Sequence, residues 1–505
     1  MDHCPFSSEF NSYVELLLKH YNVPSVSIGV VSGDDTFTHS YGDAHLSTEK
    51  ATEDTLYPIA SVTKSFTAAT LLAVLQECEN KVNLGTKISS ILAEDFVLSD
   101  EYATKYATLE DALTHVLGVS KAYICHGGPG YTTEDALRAL RHLPMSSELR
   151  ERYNYLNMGY VIVQRVIETL SGLSIVEAYQ KYIWEPLGML STVARLADAQ
   201  NSPSILATGY SWDDMTRTSI TAVPHTEHGE LIGDSAIISS TKDMTKYLYA
   251  LLHGQPPLSS TLRKELLQAR VIKGGEGDDP SHSPSMYAMG WIVSYYNGHC
   301  YIRHGGLVDG FSSVVAFLPH KQYGVAIHAN SSTNGSLVVA AIRARLMDTF
   351  LGVKIKTLDE FIIEKDKEMK STADRYFATR TRLYKELPDP VMPPSLPLVA
   401  YAGTYSHPAY RTLELVFIQK PKLKDVPMAE ATTHVLRARL QRLTTLTLDL
   451  EHVSGDYFIS WLNYEPARFS RAGSKAQFEL ASNGQVAKCG IDMELRGRIV
   501  WFTKV

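Results

Sequence analysis

Five prolines fall within the eleven residues from Leu387 to Pro397, and neither a helix nor a central strand can run through them. The window divides the chain into two parts with different patterning. Before it, helical spacing marks Phe10 to Tyr21, Ser61 to Glu77, Asp111 to Leu117, Thr133 to Leu143, Tyr155 to Leu170, Thr241 to Leu252 and Leu337 to Phe350. Strand patterns stand at both ends of that helical middle. Val26 to Val31 and Thr36 to Tyr41 form a hairpin about Ser32-Gly33-Asp34-Asp35; Gly290 to Tyr296, Cys300 to Arg303, Ser313 to Leu318 and Tyr323 to Ala329 follow late. Strands drawn from both ends imply one antiparallel sheet with helices packed on it, an α+β domain. After the window the pattern alternates over Thr445 to Glu451, Tyr457 to Leu462, Ala476 to Leu480, Val486 to Ile491 and Arg498 to Thr503, which predicts a small antiparallel barrel or sandwich. The boundaries expected are 1–355, a helical and proline-rich linker over 356–397, and a β domain over 398–505.

Charge and cysteine usage exclude several classes. The net charge of -7 and pI near 6.2 speak against a nucleic-acid binder. Met1-Asp2-His3-Cys4-Pro5-Phe6 has no basic and apolar leader, and no run approaches the ~18 apolar residues of a membrane span. Five scattered cysteines suggest neither a disulfide framework nor a zinc site. The two histidines of Pro224-His225-Thr226-Glu227-His228 lack a completing carboxylate set, so no metal is expected. The reading is a cytoplasmic protein without cofactor, nucleic-acid or membrane partner, with homo-oligomerisation left open.

Ser61-Val62-Thr63-Lys64 carries the chemistry. Residues three apart on a helix are neighbours, so the Lys64 amine can reach the Ser61 hydroxyl. A serine hydroxyl is a poor nucleophile until a base takes its proton, and a desolvated lysine can be that base. Ser239-Ser240-Thr241-Lys242 spells the same spacing, and a lone match reads as a helix cap with a surface lysine. Company separates Ser61 from that reading. Tyr155-Leu156-Asn157 opens a later helix, and His304-Gly305-Gly306 follows the strand Tyr301-Ile302-Arg303. A second Tyr-x-Asn, Tyr295-Tyr296-Asn297, sits in a strand and turn instead.

These three segments in this order resemble the serine β-lactamase and penicillin-binding-protein superfamily, in its class C-like branch of esterases, acyltransferases and D-aminopeptidases. Leu56-Tyr57-Pro58-Ile59-Ala60, Glu185-Pro186-Leu187-Gly188-Met189 and Met289-Gly290-Trp291 fit the same resemblance, which spans about residues 10 to 350. It implies a β-lactamase-like catalytic domain, an antiparallel sheet flanked by helices plus a helical subdomain. Tyr401-Ala402-Gly403-Thr404-Tyr405 looks like the start of the lipocalin-like β-barrel attached to several members. Carried over, Ser61 is the acylated nucleophile, Lys64 its proton acceptor and Tyr155 the phenol that shuttles protons, its pKa pulled down by the lysine ammonium. The resemblance also implies that Asn157 bonds the substrate or holds Lys64, and that the N–H groups of Ser61 and Leu307 form the oxyanion hole.

The sequence departs from the family pattern in two places. His304-Gly305-Gly306 stands where true β-lactamases have Lys-Thr-Gly, which removes the fixed cation and hydroxyl for a carboxylate and points to substrate-facing roles for His304, Gly305 and Gly306. Leu117 replaces a small polar residue in Leu113-Thr114-His115-Val116-Leu117-Gly118-Val119, and the Gly-rich stretch after it makes Tyr123 and His126 candidate pocket residues. The expected function is a serine hydrolase or acyltransferase acting on an ester or thioester of a small metabolite in natural-product metabolism. A D-amino-acid peptidase or amidase is the alternative, and an inactive binding protein a third reading.

Overall fold

The computed structural model describes residues 4–78, 81–121, 127–212, 220–274, 281–368, 372–420, 433–465, 469–494 and 497–505. The chain divides into two compact units. One comprises residues 1–121, 132–212 and 220–361; the other comprises 122–131, 213–219 and 362–505.

The first unit is built on a nine-stranded sheet. Its strands are β1 (Ser25–Ser32), β2 (Asp35–His45), β3 (Glu49–Lys50), β4 (Val271–Gly274), β5 (Ser285–Tyr287), β6 (Ile292–Tyr296), β7 (His299–Val308), β8 (Phe311–Leu318) and β9 (Tyr323–Ala329). Their order is β3-β2-β1-β9-β8-β7-β6-β5-β4, so the first hairpin pairs with the last strand of the domain. Every pairing is antiparallel, with Val30 opposite Val325 and Gly306 opposite Ser313. Both faces of β8 and β9 are buried, which explains their unbroken apolar runs.

The helices that matter for the site are α1 (Ser8–Tyr21), α2 (Thr63–Glu77), α3 (Asn157–Ser171), α4 (Thr241–His253) and α5 (Thr333–Leu351). Helix α2 is buried on nearly every side, so its sequence is apolar or small all round rather than amphipathic. Helix α3 presents a regular apolar stripe and ends on Gly172 at φ 71°, where the left-handed conformation suits glycine. Gly159 lets α3 close on the short helix Leu109–Leu113: a Cβ there would stand 2.5 Å from the Ala112 carbonyl oxygen.

The second unit is a closed antiparallel barrel of eight strands. They are β10 (Gly403–His407), β11 (Arg411–Gln419), β12 (His434–Gln441), β13 (Thr445–Ser454), β14 (Tyr457–Glu465), β15 (Phe469–Leu480), β16 (Val486–Ile491) and β17 (Val500–Lys504). The expected stretch at 356–397 holds two helices, Leu358–Glu368 and Thr372–Leu383, ahead of the proline window. Tyr376 on the second of these packs with Val453, Ile459 and Trp461. Among the described residues no single helix is long and apolar enough to cross a membrane.

Candidate functional site

Ser61 lies in a 3-10 turn, Ala60–Val62, that runs directly into α2. Ala60 holds φ at 48°, a strained value for a residue with a side chain. What holds the turn comes from the sheet. Ser313 of β8 donates its hydroxyl to the Ile59 carbonyl at 2.7 Å, and Gly306 of β7 lies so close that a Cβ would stand 2.1 Å from that same oxygen. The strand bearing Leu307 and the turn bearing Ser61 are thereby fixed against each other.

Around the Ser61 Oγ, Lys64 donates from Nζ at 3.2 Å and Tyr155 donates its hydroxyl at 2.9 Å. Lys64 has no exposure to solvent, and burial pulls its amine down to about 8. Its Nζ also donates to the Asp234 carbonyl at 2.7 Å and sits 5.0 Å from the centre of the Tyr155 ring. The phenol behaves differently from expectation. Burial pushes Tyr155 far above its ordinary value, because the ring is packed among apolar and aromatic groups and desolvation outweighs the bond to Ser61. Near neutrality, then, the amine is the group poised to lose a proton, and the phenol keeps its own.

Four further residues position these side chains. His115, at φ 63° and fully buried, packs its ring 4.3 Å from that of Tyr155 and accepts the Leu156 N–H on Nδ1 at 3.0 Å. Burial holds this imidazole well below the usual histidine range, so it is neutral. Gln164 of α3 accepts the N–H groups of Ile232 and Gly233 on Oε1, at 3.0 and 2.8 Å. Thr67 of α2 donates to the Gly233 carbonyl at 2.5 Å, and Thr63 accepts the Ile237 N–H at 3.1 Å. This clamp sets the Asp234 carbonyl on Lys64.

Asn157 is the first residue of α3; its Oδ1 is buried with no partner, and no hydrogen bond joins it to Lys64. His304 is 3% exposed and uses both ring nitrogens: Nδ1 donates to the Gly305 carbonyl at 2.8 Å, and Nε2 accepts the Tyr287 hydroxyl at 3.2 Å. Burial lowers it to about 3, so it is a neutral fixture of the wall rather than a cation. Gly305 and Leu307 are exposed on the strand. Tyr123 and His126 lie outside the described residues. In the second Ser-x-x-Lys the Ser239 hydroxyl bonds that of Thr192 at 2.8 Å, Ser240 caps α4 by accepting the Asp243 N–H, and Lys242 pairs with Asp54 at 3.3 Å on the surface. Tyr296 of the second Tyr-x-Asn bonds Asp348. Among the described residues no group of three or more His, Cys, Asp or Glu could hold a metal ion.

The Beta-lactamase family model matches residues 10–348. The chain belongs to the β-lactamase family. A second model, for a domain of unknown function (DUF3471), matches residues 387–504, the stretch that holds the barrel. Among curated relatives, the unguisins hydrolase of Aspergillus campestris is 31% identical over 99% of this chain and 92% of its own length. That of Aspergillus violaceofuscus is 32% identical over 98% and 89%. Both are named hydrolases, and this chain is a β-lactamase-fold hydrolase. In fold it is similar to an octameric penicillin-binding protein homologue from Pyrococcus abyssi, with a TM-score of 0.60 and 22% identity over all of both chains. It is also similar to a D-amino acid amidase from Ochrobactrum anthropi, with a TM-score of 0.55 and 20% identity over 68% of this chain and 98% of that one.

The motif residues of this β-lactamase fold were legible as text, whereas the positioning roles of His115, Gln164, the Asp234 carbonyl and Tyr287 were not. Gln164 offers one signal, a polar residue on the apolar stripe of α3; the Asp234 carbonyl offers none, since a main-chain group has no letter of its own.

Proposed function

We propose that this hydrolase forms an acyl-enzyme at Ser61 and acts on an ester or thioester of a small metabolite. The observation that carries the reading is one hydroxyl, Ser61 Oγ, bonded by both a buried amine held near 8 and a protonated phenol. The neutral Lys64 amine takes the Ser61 proton as the Oγ–C bond forms. The N–H groups of Ser61 and Leu307 bind the oxyanion, a contribution of about 3 kcal/mol per donor. On collapse the bond to the leaving group breaks; the leaving atom takes the Tyr155 proton, and Lys64 replaces it. Water then repeats the cycle on the acyl-enzyme, and Ser61 regains its proton as the acid departs. The two Aspergillus relatives, named as hydrolases of unguisins, support water as the acceptor and natural-product metabolism as the setting.

A D-amino-acid amidase is the second reading, favoured by His304-Gly305-Gly306 in place of Lys-Thr-Gly. Intact mass after exposure to a fluorophosphonate should show one adduct on wild type and none on Ser61→Ala; no adduct on either protein would sink the acyl-enzyme. Turnover of p-nitrophenyl esters without D-alanyl amides keeps the ester reading, and the reverse replaces it.

A further inference from the structure

The turn between β7 and β8 and the loop His225 to His228 border a small cleft, lined by Pro58, His225, His228, Val308, Asp309 and Phe311. About 10 Å3 of it is open to the centre of a water-sized group, room for one polar head. His228 on its wall bonds the Ser235 hydroxyl at 3.4 Å, beside Asp234, whose carbonyl holds Lys64. Pro58 lies three residues before Ser61, Asp309 two after Leu307, and Ala236, also on the wall, two after Asp234. Tyr155 and His115, whose rings pack 4.3 Å apart, are not among the residues that line the cleft. The proton donor to the leaving group, Tyr155, is thus not on its wall.

Asp309 is the unusual member. Its carboxyl is largely withdrawn from water, which pushes it up to about 6, and among the described residues no hydrogen bond or ion pair engages it. No Lys or Arg lines the cleft. The two histidines are not cations either. Burial lowers both, and His225 donates from Nε2 to the Ala207 carbonyl at 2.9 Å. Glu227 adds a second carboxylate at the rim. A carboxylate held in a recess without a counter-charge is costly alone and a strong attractor for a cation that can reach it.

We propose that this cleft is a specificity subsite for an ammonium, or a similar cationic donor, on the acyl part of the substrate, with Asp309 as its counter-ion. The inference rests on the acyl-enzyme reading above. It is tested with p-nitrophenyl esters in matched pairs, glycine against acetate, β-alanine against propionate, and 6-aminohexanoate against hexanoate. The readout is the ratio of kcat/KM inside each pair. Wild type should favour the amino ester of at least one pair by about tenfold, and Asp309→Asn should bring that ratio to within about twofold. A melting curve accompanies the variant; with no bond to lose, it should fold as wild type does. Should it fail to fold, Glu227→Gln on the exposed rim is read instead, with a smaller fall in the same ratio. Equal rates within every wild-type pair, or a preference that survives in the folded variant, would overturn the subsite alone. Failure of every ester to acylate Ser61 would overturn the hydrolase mechanism and the subsite with it.

Discussion

A buried lysine amine holds its proton weakly, and at Lys64 this bears on both the proposed mechanism and stability. As the proposed base it must be neutral, so kcat/KM should rise tenfold per pH unit below about 8 and level off above it. A profile already flat at pH 6 would count against Lys64. Stability follows the same group with a definite sign. The folded amine titrates near 8 and the free one near 10.5, so between those values the unfolded chain binds more protons and stability rises with pH. The full span is roughly 3 kcal/mol, and below about pH 8 the whole penalty is present. Lys64→Met should flatten that slope; urea unfolding of both proteins at pH 7 and pH 10 measures the difference. The lysine was legible three residues after the serine, but its pKa was not. Burial is a property of the assembled helices, and the same cause reverses the shift expected of Tyr155.

Between elements, the close approach of β7 to the 3-10 turn before α2 places Ser61. Gly306 is the contact point, since only hydrogen fits between its Cα and the Ile59 carbonyl. Gly306→Ala should cost about 1 to 3 kcal/mol in stability. It should also lower kcat by tenfold or more, because pushing the strand away moves both proposed oxyanion donors; assay with a p-nitrophenyl ester and thermal melting check the two effects together. Gly305→Ala is the control, because a Cβ there meets nothing nearer than 3.7 Å. Most elements in this region could be read from periodicity, including α2, α3 and the late strands of the sheet. The margins could not. Strand β7 extends to Val308, because its glycines read as a loop and become a strand only when β8 and the Ser61 turn press on them. In the barrel the alternating stretches after Thr445 are strands, while β11 and β12 went unread. Strand β11 alternates from Thr412 to Leu415 and then breaks the pattern with an exposed Val416, and β12 carries arginines on its outer face.

At the scale of the whole chain, the described residues 127–131 stand between two stretches of the first unit in sequence and belong to the second. They are held by the barrel. Arg411 donates to the Gly127 carbonyl at 2.7 Å and lies over the Tyr131 ring, 4.6 Å from its centre. Gly128, at φ 94°, packs so closely that a Cβ would stand 2.8 Å from the Gln441 carbonyl oxygen. Order at 127–131 is thus tied to the stability of the barrel, and one buried side chain offers a handle on it. Glu451, 2% exposed, is bonded by Tyr376 at 2.5 Å, Lys420 and Trp461 at 3.0 Å, and Arg380 at 3.2 Å. Glu451→Ala leaves a buried ammonium without its counter-charge, a loss of about 3 to 5 kcal/mol. Protection of barrel amides against hydrogen exchange should fall roughly a hundredfold or more. The amides of 127–131 should accelerate in step, whereas those of α2, in the other unit, should not. Exchange measured by mass spectrometry on the whole chain decides it. Faster barrel exchange with 127–131 unchanged would show that something other than Arg411 and Gln441 fixes the segment, and would free its order from the barrel.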